Sequence, residues 1–343
     1  MLCEIEIRPV TRPGRGPTRT LWAVRGRRQA VEIEFDQATK RYPGRAAPAV
    51  DNLTLAIPAG EVCCLVGPSG GGKTTAMKLV NRLVELTSGD VRIDGRSVKS
   101  LDQTELRRGI GYVIQQVGLF PHMTVADNVA TVPRLLGWSR DEIRTRVDEL
   151  LDLVDLPARD YRKRYASQLS GGERQRVGLA RALAADPPVM LMDEPFGALD
   201  PITRTRLQKE LVRIQDEVRK TIIFVTHDID EAILLGDRIA ILREGGVLAQ
   251  YDTPEEILAH PADDFVARFV GADRGLKRLS LTTLGEVQLD PPNGVVSPSA
   301  PSDTTLRDAL SLMLSEGSRS LAVVDDGRPR GVLTLDRLSE LLT

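Results

Sequence analysis

The chain has too few cysteines for a disulfide scaffold or a metal cage. Its 343 residues contain three, at no spacing that suits a zinc site or a thiol redox motif. Cys63 and Cys64 are neighbours inside an apolar run and read as small apolar fillers in a reducing compartment. Long hydrophobic runs are also missing. Nothing approaches the roughly 18 residues of a membrane-spanning helix. There is no excess of one charge: 46 basic and 48 acidic residues leave a net −2, which gives no bulk attraction to nucleic acid. A length of 343 residues supports about two domains.

The ends differ from the middle. Residues 1–30 carry seven arginines against two acids, with three prolines and three glycines, and read as a disordered extension without assigned function. The prolines argue against an amphipathic presequence. A translation start placed too far upstream explains the segment equally well.

The middle opens with a phosphate cradle. Val62 to Val66 is a short apolar run of strand type. It leads into Gly67-Pro68-Ser69-Gly70-Gly71-Gly72-Lys73-Thr74, after which a helical pattern starts at Lys73, with Met77, Leu79, Val80, Leu83 and Val84 on one apolar face. Glycines let backbone N–H groups converge on phosphate oxygens, and the helix N-terminus adds dipole and free donors. Lys73 is expected to neutralise the β- and γ-phosphates, Thr74 to place its hydroxyl on Mg²⁺, and Thr75 to reach the α-phosphate.

A second apolar run, Val189-Met190-Leu191-Met192, ends in Asp193 and Glu194. Such a run suits a strand buried on both faces of a parallel sheet, whose carboxyl end is where ligands bind. Adjacent strand side chains point apart, so the acids divide the work. Asp193 would hold Mg²⁺, and Glu194 would orient and deprotonate the attacking water. Without the cradle, the pair is simply a polar strand end.

Between these motifs lies Leu169-Ser170-Gly171-Gly172-Glu173. A helical stretch is expected from Glu173 to Ala185, with Val177, Leu179, Ala180, Leu183 and Ala184 as its apolar side. Ser170, Gly171 and Gly172 then form a second anion site at a helix N-terminus. A plain small-residue cap accounts for Ser-Gly-Gly but not for its position between the other two motifs.

This order of motifs resembles the ATP-binding subunit of an ABC transporter, from about Val31 to about Val270. The resemblance implies an α/β P-loop ATPase core of RecA type, an antiparallel β subdomain near its start, and a helical subdomain over about 116–170. A capping box at Ser139-Arg140-Asp141-Glu142 and leucines and valines at helical spacing to Leu156 fit that subdomain. It also implies roles for single residues. Tyr42 resembles the aromatic that stacks on adenine. Gln115, beside Gln116, resembles the glutamine that touches Mg²⁺ or water. Asp200, in Gly197-Ala198-Leu199-Asp200, resembles the loop that crosses between two ATP sites. His227, at the end of the run Thr221 to Val225, resembles the histidine that contacts the γ-phosphate. In the family two copies meet head to tail, each ATP enclosed by the P-loop of one and the Leu-Ser-Gly-Gly of the other. Leu119 to Met123 and the loop near Arg164 and Tyr165 resemble the face toward the transmembrane permease.

After Val270, Pro291, Pro292, Pro298 and Pro301 mark a linker, 271–302. In 303–343, Leu306, Ala309, Leu310, Met313 and Leu314 share one helical face, stopped by Gly317. A strand from Ser320 to Val324, a turn at Asp325-Asp326-Gly327 and a strand from Gly331 to Leu335 follow. Asp336 is expected to cap a last helix carrying Leu338, Leu341 and Leu342. This resembles one CBS motif, either a sensor or a dimerisation element.

The stretch from Gly111 to Val125, and that from Pro195 to Arg204, look like the importers of glycine betaine, choline, carnitine or proline. The resemblance therefore implies an ATPase that uses ATP and Mg²⁺ at the cytoplasmic face of the cell membrane. Its partners would be a second copy, permease subunits and, indirectly, a solute-binding protein; no nucleic acid is expected. Three alternatives remain: an importer of another small solute such as an amino acid, a non-transport ABC ATPase, and a regulatory module in which ATP is only a signal.

Overall fold

The computed structural model describes residues 29–115, 118–197, 199–291, 298–325 and 327–340. Residues 1–28 of the arginine-rich extension, Gln116, Ala198, Pro292, Asp326, Leu341 and Leu342 lie outside the described residues.

Among the described residues, ten strands precede residue 253. They are β1 (Ile33–Lys40), β2 (Val50–Ile57), β3 (Val62–Val66), β4 (Ser88–Ile93), β5 (Arg96–Ser97), β6 (Ile110–Val113), β7 (Val189–Asp193), β8 (Thr221–Val225), β9 (Arg238–Arg243) and β10 (Val247–Asp252). Three more, β11 (Ser299–Ala300), β12 (Ser320–Asp325) and β13 (Arg328–Thr334), lie in the tail. One sheet is antiparallel, ordered β2-β1-β4-β5. The central sheet is ordered β10-β9-β3-β8-β7-β6, parallel from β9 to β6.

The central strands are apolar on both sides because both faces are covered. Along β3, Val62, Cys64 and Val66 enter one core, while Cys63 and Leu65 enter the other, which also contains Ile33, Phe35 and Leu53 of the antiparallel sheet. Each cysteine is fully buried, and burial pushes both thiols above their ordinary range. They are packing residues, as the sequence implied.

Strand order decides where the chemistry falls. β3, β8, β7 and β6 are consecutive neighbours and run the same way, so the residues after each emerge on one edge. Leu65 and Asp193 both pair with Val225, which sets those strand ends level. The glycine loop, His227, Asp193-Glu194 and Gln115 therefore line up along that edge.

Four helices of the insertion, Val125–Val129, Thr131–Leu135, Arg140–Leu153 and Ala158–Tyr161, precede Ser170. The capping box at Ser139 and Glu142 is formed. Two helices differ from expectation. The one after the glycine loop stops at Val80, and Leu83 beyond it is 48% exposed rather than on an apolar helical face. The one after Ser170 spans Gly171–Leu183, starting two residues earlier than Glu173 because Ser170 and Glu173 cap each other.

In the tail, β11-β12-β13 form a third sheet under the helix Leu306–Ser315. The segment expected as a linker is partly built into this unit. Leu279 and Leu284 join its core, Asp290 pairs with Val332, and Leu284 N donates to Thr304 O at 2.9 Å. A core this small gains from two more buried leucines. The last helix is Leu335–Glu340, so Asp336 lies in its first turn instead of capping it; Thr334 Oγ1 accepts from Arg337 N.

Candidate functional site

Lys73 opens the helix Lys73–Val80 and is 8% exposed. Its Nζ donates to Gly67 O at 2.7 Å and Pro68 O at 2.9 Å, which holds the ammonium inside the curve of the loop. Burial lowers its pKa, against the pull of Glu194 and Asp193. Two glycines are obligatory for this path. A Cβ on Gly67, at φ 147°, would meet Leu242 O at 2.1 Å, and one on Gly72, at φ 73°, would meet Ala49 O at 2.0 Å. Ala49 ends the 41–49 loop, so that loop packs against the cradle. Tyr42 lies at its start, with Lys40 Nζ 5.1 Å from its ring centre.

Thr74 Oγ1 donates to Asp193 Oδ1 at 2.8 Å, joining the first helical turn to the end of β7. Asp193 is 8% exposed, and burial raises its pKa while the Thr74 bond lowers it. A hydroxyl and a carboxylate in contact are hard oxygen donors of the kind Mg²⁺ takes alongside substrate phosphates. Among the described residues, no cluster of three or more His, Cys, Asp or Glu could hold a metal alone.

Glu194 leaves the strand with φ 43°, a left-handed conformation rare outside glycine. Its N–H donates to Val225 O at 2.9 Å, and its carbonyl accepts from Gly197 N at 3.2 Å. The turn aims the carboxylate along the edge, between two neighbours. Gln115 Nε2 donates to Oε2 at 2.9 Å, and His227 Nδ1 stands 3.3 Å from Oε1. Four sequence-expected residues, Gln115, Asp193, Glu194 and His227, thus meet beside Lys73 and Thr74.

Ser170 and Asp200 form a separate pair of caps. Ser170 N donates to Glu173 Oε2 at 2.7 Å and Glu173 N to Ser170 Oγ at 3.3 Å. Tyr161 OH donates to Glu173 Oε1 at 2.6 Å, and these bonds hold the Glu173 carboxyl below its usual range. Asp200 Oδ1 accepts from Thr203 N at 3.0 Å, at the head of the helix Pro201–Val218. A Cβ on Gly172 would lie 2.9 Å from Thr203 Cγ2, so the two helix starts touch. Ser170, Gly171 and Asp200 are exposed there. The role of Glu173 was not foreseen, although Ser-x-x-Glu ahead of an apolar run is a capping signal.

The ABC transporter family model matches residues 50–197, and the CBS domain model matches residues 294–343. The chain is 48% identical over 303 residues to an osmoprotectant import ATP-binding protein of Salmonella typhimurium, covering 87% of this chain and 78% of that protein. It is 48% identical over 298 residues to a choline transport ATP-binding protein of Bacillus subtilis, covering 86% and 76%. It is 47% identical over 303 residues to a glycine betaine uptake system ATP-binding protein of Escherichia coli, covering 88% and 97%. Among solved structures, a dimeric ATP-binding cassette in a post-hydrolysis state with ADP and Pi superposes with a TM-score of 0.57 at 36% identity, over 64% of this chain and 98% of that one. No helix among the described residues is long and apolar enough to cross a membrane.

Proposed function

This chain belongs to the ATP-binding proteins of ABC transporters, and we propose that it hydrolyses ATP to energise import of a quaternary-amine osmoprotectant through a separate membrane permease. The carrying observation is the single edge on which a P-loop lysine, a threonine–aspartate pair and a flanked glutamate converge. Glycine betaine, choline and carnitine are the solutes named for relatives that this chain resembles across most of its length.

The glycine loop, with Pro68, Ser69, Gly70 and Gly71, would wrap the phosphates, with Lys73 releasing its two carbonyl bonds to neutralise them. Thr75 would reach the α-phosphate, and Tyr42 would stack on the adenine. Thr74, Asp193 and Gln115 would hold Mg²⁺, which supplies charge neutralisation when bound. Glu194 would take a proton from water, its orientation fixed by Gln115 on one side and His227 on the other. The helix start at Ser170, Gly171 and Gly172, exposed at Ser170 and Gly171 and with Asp200 beside it, would meet the nucleotide of a second, head-to-tail copy. The chain would work at the cytoplasmic face of the membrane, with a solute-binding protein delivering cargo to the permease.

The deciding test is uptake of labelled glycine betaine, choline and proline by this chain reconstituted with its permease and binding protein. ATP-dependent uptake of a quaternary amine is the expected result. Uptake confined to an unrelated solute would overturn the substrate class, and ATP turnover with no uptake would overturn the transport reading.

A further inference from the structure

The parallel strands β3, β8 and β9 begin at Val62, Thr221 and Arg238, so Gly60, Arg219 and Asp237 mark the amino edge of the central sheet, opposite the nucleotide edge. Two hollows, of about 190 and 560 Å³, share these three residues and form one groove. The smaller is walled by Leu211 and Val212, of the helix that Asp200 caps, and by Leu234 and Leu235, of the helix that follows His227. Val212 is 37% exposed and Leu234 48%, so part of this apolar wall is left uncovered.

The larger hollow is lined by Gln29 and Ala30, with which the described part of the chain opens. Thr221 Oγ1 donates to Val31 O at 2.6 Å and accepts from Gly60 N at 2.9 Å, which pins this entering segment to the amino edge. The sequence just before Gln29 is Leu21-Trp22-Ala23-Val24-Arg25-Gly26-Arg27-Arg28, four apolar residues and then three arginines. The five steps from Val24 to Gln29 span at most about 17 Å, enough to carry the apolar run from the larger hollow into the smaller one that adjoins it. The rim suits the arginines. Asp216 and Asp237 are exposed there, Glu61 is paired with Arg238 at 3.0 Å, and Arg219 is the opposing charge.

We propose that residues 21–28 of this same chain occupy the amino-edge groove, with the run from Leu21 to Val24 against Val212 and Leu234 and the arginines at the acidic rim. A segment tethered this close to its groove has a high effective concentration there, which favours it over a second copy or a separate protein. Docked in this way, the extension braces two helices at once, the one headed by Asp200 and the one that follows His227, from the edge away from the nucleotide.

The chain has two tryptophans, Trp22 and Trp138, so the emission of Trp22 is the difference between the full chain and its Trp22→Phe variant. The experiment measures that emission and its quenching by acrylamide, without nucleotide, over a range of protein concentrations. Blue-shifted emission, with quenching severalfold weaker than in the denatured chain, is the expected result. Leu234→Glu, which puts a charge on the apolar wall and repels no arginine, should shift the emission to the red and restore quenching to the denatured level. Trp22 quenched in the native protein as in the denatured one overturns the proposal. Protection that survives Leu234→Glu moves the extension to another site and overturns it as well. Protection that is lost on dilution means that a second copy supplies the segment, which overturns the intramolecular reading. If Leu234→Glu does not fold, as circular dichroism would show, Arg25→Glu, Arg27→Glu and Arg28→Glu together change only the extension and should weaken the protection; unchanged protection there is the overturning result.

Discussion

Glu194 Oε1 lies 3.3 Å from His227 Nδ1, and the other carboxylate oxygen accepts from Gln115 Nε2 at 2.9 Å. The carboxylate is therefore held from both sides by residues that arrive on different strands. A glutamine at 194 keeps the size and the left-handed turn but cannot take a proton. Glu194→Gln should bind ATP as the native protein does, slow turnover by orders of magnitude, and accumulate an ATP-bound dimer. Steady-state ATPase measurements and size-exclusion chromatography with ATP check this; unchanged turnover would remove Glu194 from its role.

Lys73 is the buried cation of the cradle, held by the carbonyls of Gly67 and Pro68. Lys73→Ala removes the charge proposed to meet the phosphates and leaves Gly67 O without its side-chain donor, while Pro68 O keeps the bond from Gly71 N. ATP affinity should fall by about a hundredfold or more, since a charge-assisted contact contributes up to about 3 kcal/mol and several are lost together. Calorimetric titration reads the change directly, and retained micromolar binding speaks against the cradle.

Asp193 stores a cost that pH should reveal. Burial holds its carboxyl above the ordinary range in the folded protein. The unfolded chain therefore releases this proton at lower pH than the folded one, and stability falls as pH rises through the interval between the two values. Asp193→Asn keeps an acceptor for Thr74 and removes the buried charge. It should melt higher than the native protein at pH 7–8, with the advantage shrinking as pH falls into the ordinary carboxylate range, while turnover is lost. Melting curves across pH give the answer; an advantage that grows toward acid has the wrong sign.

Lys277 docks the tail onto the ATPase core. It is 8% exposed; its Nζ donates to Val270 O at 2.8 Å and lies 3.0 Å from Asp230 Oδ1, on the helix that follows His227. Lys277→Met keeps the apolar stem but leaves Val270 O unpaired, at about 1–3 kcal/mol. Residues 271–291 should become more sensitive to protease and exchange amide hydrogens faster, with ATP affinity intact. Unaltered exchange there would mean that packing around Leu279 and Leu284 holds the tail by itself.

The sequence by itself determined the pieces whose physics is local. Four glycines before Lys73, an apolar strand ending in two acids and a serine three residues before a glutamate are each read within one turn or one strand, because backbone freedom, burial and capping act over that range. Only the tertiary structure decided what spans many residues. Gln115 meets Glu194 across 79 positions, and Thr74 meets Asp193 across 119. Parallel strand order, not any short motif, brings them to one edge. The same holds for Leu279 and Leu284, which sit in proline-flanked chain yet enter the tail's core, and for Asn128, an unremarkable polar residue until the 120–124 loop folds around it. Long-range packing leaves no periodic trace in the chain, so these partners become visible only when the sheet is assembled.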